Sequence, residues 1–116
     1  MANNLYLVFS RPPDGLTPAD YHRWYEAHAR ENIETPGFLS AQRYAVHQRT
    51  GEPAPGAQDH LAVYEYRGDY GPIGDHLRGR VESGDIELPG WFPEIPFASW
   101  VCEPHGEKLL APGRSE

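Results

Sequence analysis

The spacing in this chain that carries the most chemical content is Trp24-Tyr25-x-x-His28. On a helix, residues four apart stand one above the other on a single face, so the imidazole would share a stripe with two large aromatic rings. Histidine titrates near neutral pH, which suits it to moving a proton. Aromatic neighbours would give it a partly dry pocket suited to an apolar or aromatic ligand. Two readings stand side by side. His28 acts as an acid–base group with Trp24 and Tyr25 lining the pocket, or His28 closes the helix end on a carbonyl while the two rings serve as core.

Other residues could join that site. Tyr6, Tyr44 and Tyr64 fall in three strand-like runs and could each turn a phenol towards His28. Equally, they could be ordinary strand aromatics with bonded hydroxyls. Arg43 is a charge inside a strand pattern and must be paired or reach water. It could bind a carboxylate or enolate, or form a salt bridge to a helix acid or across a dimer. The chain has six histidines, yet no pair shows the i,i+4 spacing of a helical metal site, and no haem-ligand motif stands out. No metal and no cofactor are expected. There is no G-x-S-x-G elbow for a serine nucleophile. Cys102 lies in a strand-like run, where a buried thiol is normally inert.

Composition narrows the classes of partner. The chain has 116 residues, about one domain, with seventeen acidic and ten basic side chains for a net charge of −7. That balance argues against nucleic acid and against an anionic membrane surface. No apolar run approaches the ~18 residues a membrane helix requires. The start, MANNLYLVFSRPPDG, carries neither a basic n-region nor a cleavage motif. A single cysteine excludes an intrachain disulfide and a cysteine metal cluster. A cytoplasmic protein is the expectation.

The elements that must position these residues are legible in turn. LYLVFS at 5–10 reads as a buried strand, ended by the prolines and the DG turn of RPPDG. Thr17-Pro18-Ala19-Asp20 reads as a helix start, with Thr17 as cap, Pro18 in the first helical position and Asp20 as the acid of an imperfect capping box. The helix runs to about Glu34 and stops at Pro36-Gly37. Tyr21, Trp24, Tyr25, His28 and Asn32 or Ile33 form its inner stripe; His22, Arg23, Glu26, Arg30 and Glu31 face water. Residues 38–46 give a second strand, with Leu39, Ala41, Arg43 and Ala45 on one side and Ser40, Gln42, Tyr44 and Val46 on the other. Residues 47–59, rich in Pro and Gly, read as a long mobile connection. LAVYEY at 61–66 is a third strand. Residues 69–84 form a weaker helix, with Ile73, Leu77 and Val81 inward, His76, Arg78, Arg80 and Glu82 outward, and Gly84 as its stop. Residues 87–96 hold too many prolines for a regular element. FASWVCE at 97–103 is a fourth strand. Residues 1–104 thus form one domain, and 105–116 a loose tail.

The order is βαββαβ. It predicts an α+β, ferredoxin-like domain: a four-stranded antiparallel sheet with two helices on one face. The other face still carries apolar side chains. Packing two sheets face to face into a dimeric α/β barrel would cover them, so a homodimer is expected.

The residues Trp24, Tyr25, His28, then Pro36, Gly37, Phe38, then Arg43 and Tyr44 form the pattern WY-x-x-H, PGF and RY. With LAVYEY, RVESGDIELPGWF and ASWVCEP, they make the chain from about Leu5 to Pro104 resemble the EthD-like branch of the dimeric α/β-barrel superfamily. The resemblance implies homodimers built through the sheets and a pocket between sheet and helices. Relatives of that kind include polyketide cyclases, cofactor-free quinone-forming monooxygenases, lactone isomerases and haem-handling enzymes, so the fold alone names no reaction. The expectation is a binder of a hydrophobic, oxygenated small molecule. It would be a cofactor-independent cyclase, isomerase or lyase with His28 as acid–base, a non-catalytic accessory or carrier protein, or a cofactor-free monooxygenase.

Overall fold

A computed structural model describes residues 2–52 and 58–114. Strand β1 (Asn4–Ser10) leads through the RPPDG turn to helix α1 (Pro18–Asn32); β2 (Phe38–Ala45) and β3 (His60–Tyr66) follow; α2 (Tyr70–Ser83), a single 3₁₀ turn (Phe92–Glu94) and β4 (Phe97–Cys102) complete the order. The strands form one antiparallel sheet in the order β2-β3-β1-β4. This is the α+β, ferredoxin-like βαββαβ arrangement.

The helix boundaries follow from their caps. Thr17 stays extended and its side chain accepts a hydrogen bond from the Asp20 amide at 3.1 Å, with Pro18 opening the helix. Asp69 caps α2 in the same manner through the Gly71 amide, and Gly84 ends it in the left-handed conformation at φ 87°. Between α1 and β2 the chain turns at Gly37, where φ is 107° and a Cβ would run into the Ile73 side chain. Only glycine meets both demands.

Successive strand residues point to opposite sides of a sheet. Tyr6, Val8 and Ser10 of β1 and Ala62, Tyr64 and Tyr66 of β3 turn towards the helices and, Tyr6 apart, are buried. Tyr21 of α1 is fully buried and donates its hydroxyl proton to Ser10 Oγ at 2.6 Å, fixing the helix on the sheet. Tyr70 of α2 stacks on Tyr6 with ring centroids 4.5 Å apart. Both helices therefore cover the same face. The opposite face carries Leu5, Leu7 and Phe9 of β1, Leu61 and Val63 of β3, and Trp100 of β4, with no helix over it among the described residues.

Several expectations require correction. A β-bulge at Leu39 shifts the register, so that Phe38 and Ala41, rather than Leu39 and Ala41, share the helix-facing side; Leu39 is half exposed. Arg80 does not point to water. It donates to the Glu31 carbonyl at 2.7 Å and to Thr35 Oγ1 at 2.8 Å, tying α2 to the end of α1. The proline-rich run 87–96 holds the 3₁₀ turn and seats Ile95 in the core, with Trp91 packed edge-on against Trp24 at 4.8 Å. Of the 47–59 connection, residues 53–57 lie outside the described residues; its ends are joined where the Val46 amide donates to the Asp59 carbonyl at 2.8 Å. Residues 105–114 form no regular element, and Leu109 is 92% exposed; residues 115–116 lie outside the described residues.

Candidate functional site

The helices do not close over the sheet completely. A cavity of about 490 Å³ lies between α1, α2 and the sheet. That is within the range of small-molecule sites, and rings dominate its walls. Tyr6, Phe38 and Tyr64 come from the sheet, Tyr70 from α2, Tyr25 from α1 and Phe92 from the 3₁₀ turn. Leu77 and Val81 of α2 close one side, and Phe97 and Ser99 of β4 form part of the rim, where Phe97 is 42% exposed.

Two titratable residues of α1, Tyr25 and His28, enter this wall together with Asn32. His28 is 8% exposed. Its imidazole stacks on Trp24 at 4.7 Å with planes 14° apart, and meets the edges of Tyr25 and Phe92 near 6 Å. Nδ1 is sealed and has no hydrogen-bond partner among the described residues. A buried polar atom left in this state costs on the order of 1–3 kcal/mol, so such atoms are rare. Burial pushes the pKa down to about 4, because the charged imidazolium would lose its hydration. His28 is therefore neutral at pH 7 and able to accept a proton.

The phenols move the other way. Burial raises Tyr25 well above the usual phenol range, with the neighbouring Tyr64 adding to the effect. Tyr64 and Tyr70 are raised too, chiefly by burial. These residues stay protonated and serve as hydrogen-bond donors. The two kinds of titratable group are thus pushed apart: one dry imidazole that accepts, several phenols that donate.

The structure gathers His28, Tyr25, Tyr6 and Tyr64 at one cavity. Trp24 stands behind the imidazole as its stacking partner and fixes the ring plane. Two expected members lie elsewhere. Tyr44 pairs with Leu61 on the far face of the sheet and is half exposed, so its phenol cannot approach His28 within the same chain. Arg43 does face the helices, but its guanidinium is occupied. It donates to Glu26 Oε1 at 2.9 Å and to the His22 carbonyl at 3.2 Å, and lies 4.7 Å from the Tyr25 ring centre. It buttresses the back of Tyr25 and is salt-bridged to Glu26. Sequence reasoning missed Asn32, Tyr70 and Phe92 as cavity residues. The sequence places Asn32 on the inner stripe only as an alternative to Ile33, and its i,i+4 step beyond His28 is the signal that favours it. Phe92 sits in a proline-rich run that offers no period to read.

No group of three or more metal-ligating side chains gathers among the described residues, and no described helix is long and apolar enough to cross a membrane. Comparison with known proteins adds a likeness in structure. A solved structure, the monooxygenase from ActVA-Orf6 of Streptomyces coelicolor in complex with Nanaomycin D, is similar to this chain over 95% of its length and 94% of its own, with a TM-score of 0.51 and 21% identity. At that identity the likeness shows the shared fold. No protein-family model matches the chain, and no curated protein matches it.

Proposed function

We propose that this protein binds a hydrophobic, oxygenated aromatic molecule in the cavity and that His28 takes a proton from it. The observation that carries the reading is the neutral imidazole of His28, set in the aromatic wall of the cavity with no charged partner among the described residues. A dry imidazole is a poor place to hold a lone charge but a good place to accept a proton when an anion forms beside it. Trp24 holds the ring plane, and the phenols donate to ligand oxygens. Proton removal from a phenol or enol gives an electron-rich anion. That anion can cyclise, isomerise or eliminate without a cofactor.

It can also react with dioxygen, and the structural likeness to a ligand-bound monooxygenase favours this second course. The balance is simple: an anthrone methylene and O₂ give a quinone carbonyl and water. The finer family reading, an EthD-like protein, rests on Trp24-Tyr25-x-x-His28 and the Pro36-Gly37-Phe38 turn. A homodimer through the uncovered sheet face, in the cytoplasm, belongs to the same proposal.

The test uses anthrone, an enolisable aromatic ketone, as the probe. Oxygen uptake above background that His28→Ala abolishes supports oxygenation. Exchange of the methylene hydrogens in deuterated buffer without oxygen uptake supports the proton-transfer course alone. Binding with neither reaction supports the accessory or carrier reading. Rates that are the same with and without His28 would sink its role as the base.

A further inference from the structure

A second polar feature faces the same cavity. Asn32 Nδ2 donates to the Tyr64 hydroxyl at 3.0 Å, and the Tyr25 hydroxyl is that oxygen's other hydrogen-bonding neighbour. A phenol oxygen can accept and also donate one proton. Asn32 fills one acceptor site of that oxygen, and the Tyr64 hydroxyl keeps one proton of its own to donate. Tyr64 is 1% exposed and Asn32 7%, and both line the cavity. Asn32 lies one helical turn beyond His28, about 6 Å along the helix axis.

We propose that Tyr64, held by Asn32, is the second ligand contact of the site. It donates a hydrogen bond to a carbonyl oxygen of the bound molecule, while His28 receives the proton of a hydroxyl on the same molecule. The ligand class is then a hydroxyaryl ketone, in which hydroxyl and carbonyl are conjugated through the ring. This rests on the reading of His28 as proton acceptor. In the step, the ligand O–H bond breaks and an N–H bond forms on His28. The charge spreads through the ring to the carbonyl oxygen, where the Tyr64 O–H stabilises it without giving up its proton. Asn32 is a positioning residue: it occupies the Tyr64 oxygen as a donor, so that the phenol proton turns to the ligand.

The experiment compares a 6-acyl-2-naphthol, which has both groups, with 2-naphthol, which lacks the carbonyl. Binding is followed by naphthol fluorescence, and the apparent pKa of the bound naphthol by absorbance. In the wild-type protein the acyl compound should bind more tightly and ionise at lower pH than in water. Tyr64→Phe should weaken the acyl compound about tenfold, as expected for one hydrogen bond to a developing charge, and raise its bound pKa. It should leave 2-naphthol within about twofold. Asn32→Leu should shift both quantities in the same direction by less, and serves equally if Tyr64→Phe does not fold. Equal losses for both probes, or an unmoved bound pKa, overturn the Tyr64–Asn32 contact alone. Failure of either probe to bind the wild-type protein, or a bound pKa unaffected by His28→Ala, overturns the His28 reading beneath it.

Discussion

Replacing His28 by Phe should flatten the acid side of the stability profile. The imidazole is 8% exposed, so solvent screens it little, and burial lowers its pKa from 6.5 to about 4. Between those limits the unfolded chain binds a proton that the folded chain refuses. Stability then rises with pH by as much as about 1.4 kcal/mol per unit. The contribution is complete above pH 6.5 and is lost as pH falls towards 4, about 3 kcal/mol over the window, a large part of a small domain's stability. Phenylalanine keeps a ring on Trp24 and cannot titrate. Urea unfolding at fixed protein concentration, from about pH 7 to about pH 4, reads the slope directly. Carboxylates contribute to both proteins and cancel in the difference. His60, lowered by burial and then by Arg43, is tested in the same way with His60→Asn. If the wild-type protein and His28→Phe lose stability in parallel across the window, the imidazole is solvated or partnered, and the dry-base argument fails.

Gly37→Ala should destabilise the fold by about 2 kcal/mol or more, since it meets both a left-handed backbone and the Ile73 side chain; thermal melting measures it, and Ile73→Ala in the same chain should recover only the steric part. Tyr21→Phe should cost about 1–2 kcal/mol by orphaning Ser10 Oγ, while the double change with Ser10→Ala should cost less than Tyr21→Phe alone; urea midpoints decide it. Val63→Asp on the uncovered sheet face should shift a sheet-to-sheet dimer to monomer in sedimentation while leaving the far-UV dichroism unchanged; an unaltered mass would remove that face as the interface.

How much of this was legible beforehand depended on whether a local rule governed each residue. Thr17-Pro18 and Asp69…Gly84 state their caps in the sequence, and both helices follow. The inner stripe of α1 through Tyr21, Tyr25 and His28 follows from its period alone. Arg43 was ambiguous because a strand position cannot reveal whether a helix acid lies opposite, and Glu26 does. Tyr44 could not be assigned without the register, which the bulge at Leu39 resets. The aromatic seat of Trp91 and Phe92 comes from a run where prolines erase any period, so only the folded chain brings it to Trp24 and His28.

The cavity takes wall residues from every strand, both helices and the 3₁₀ turn, from Tyr6 to Ser99. No fragment of the chain can own it, and it comes into being only when the last strand docks beside the first. Any molecule that fills it is therefore linked to the folding of the entire domain: at a hundredfold excess over its dissociation constant it would add about 2.7 kcal/mol to global stability. Occupancy would show as slower exchange of backbone amides throughout the sheet, far from the atoms it touches.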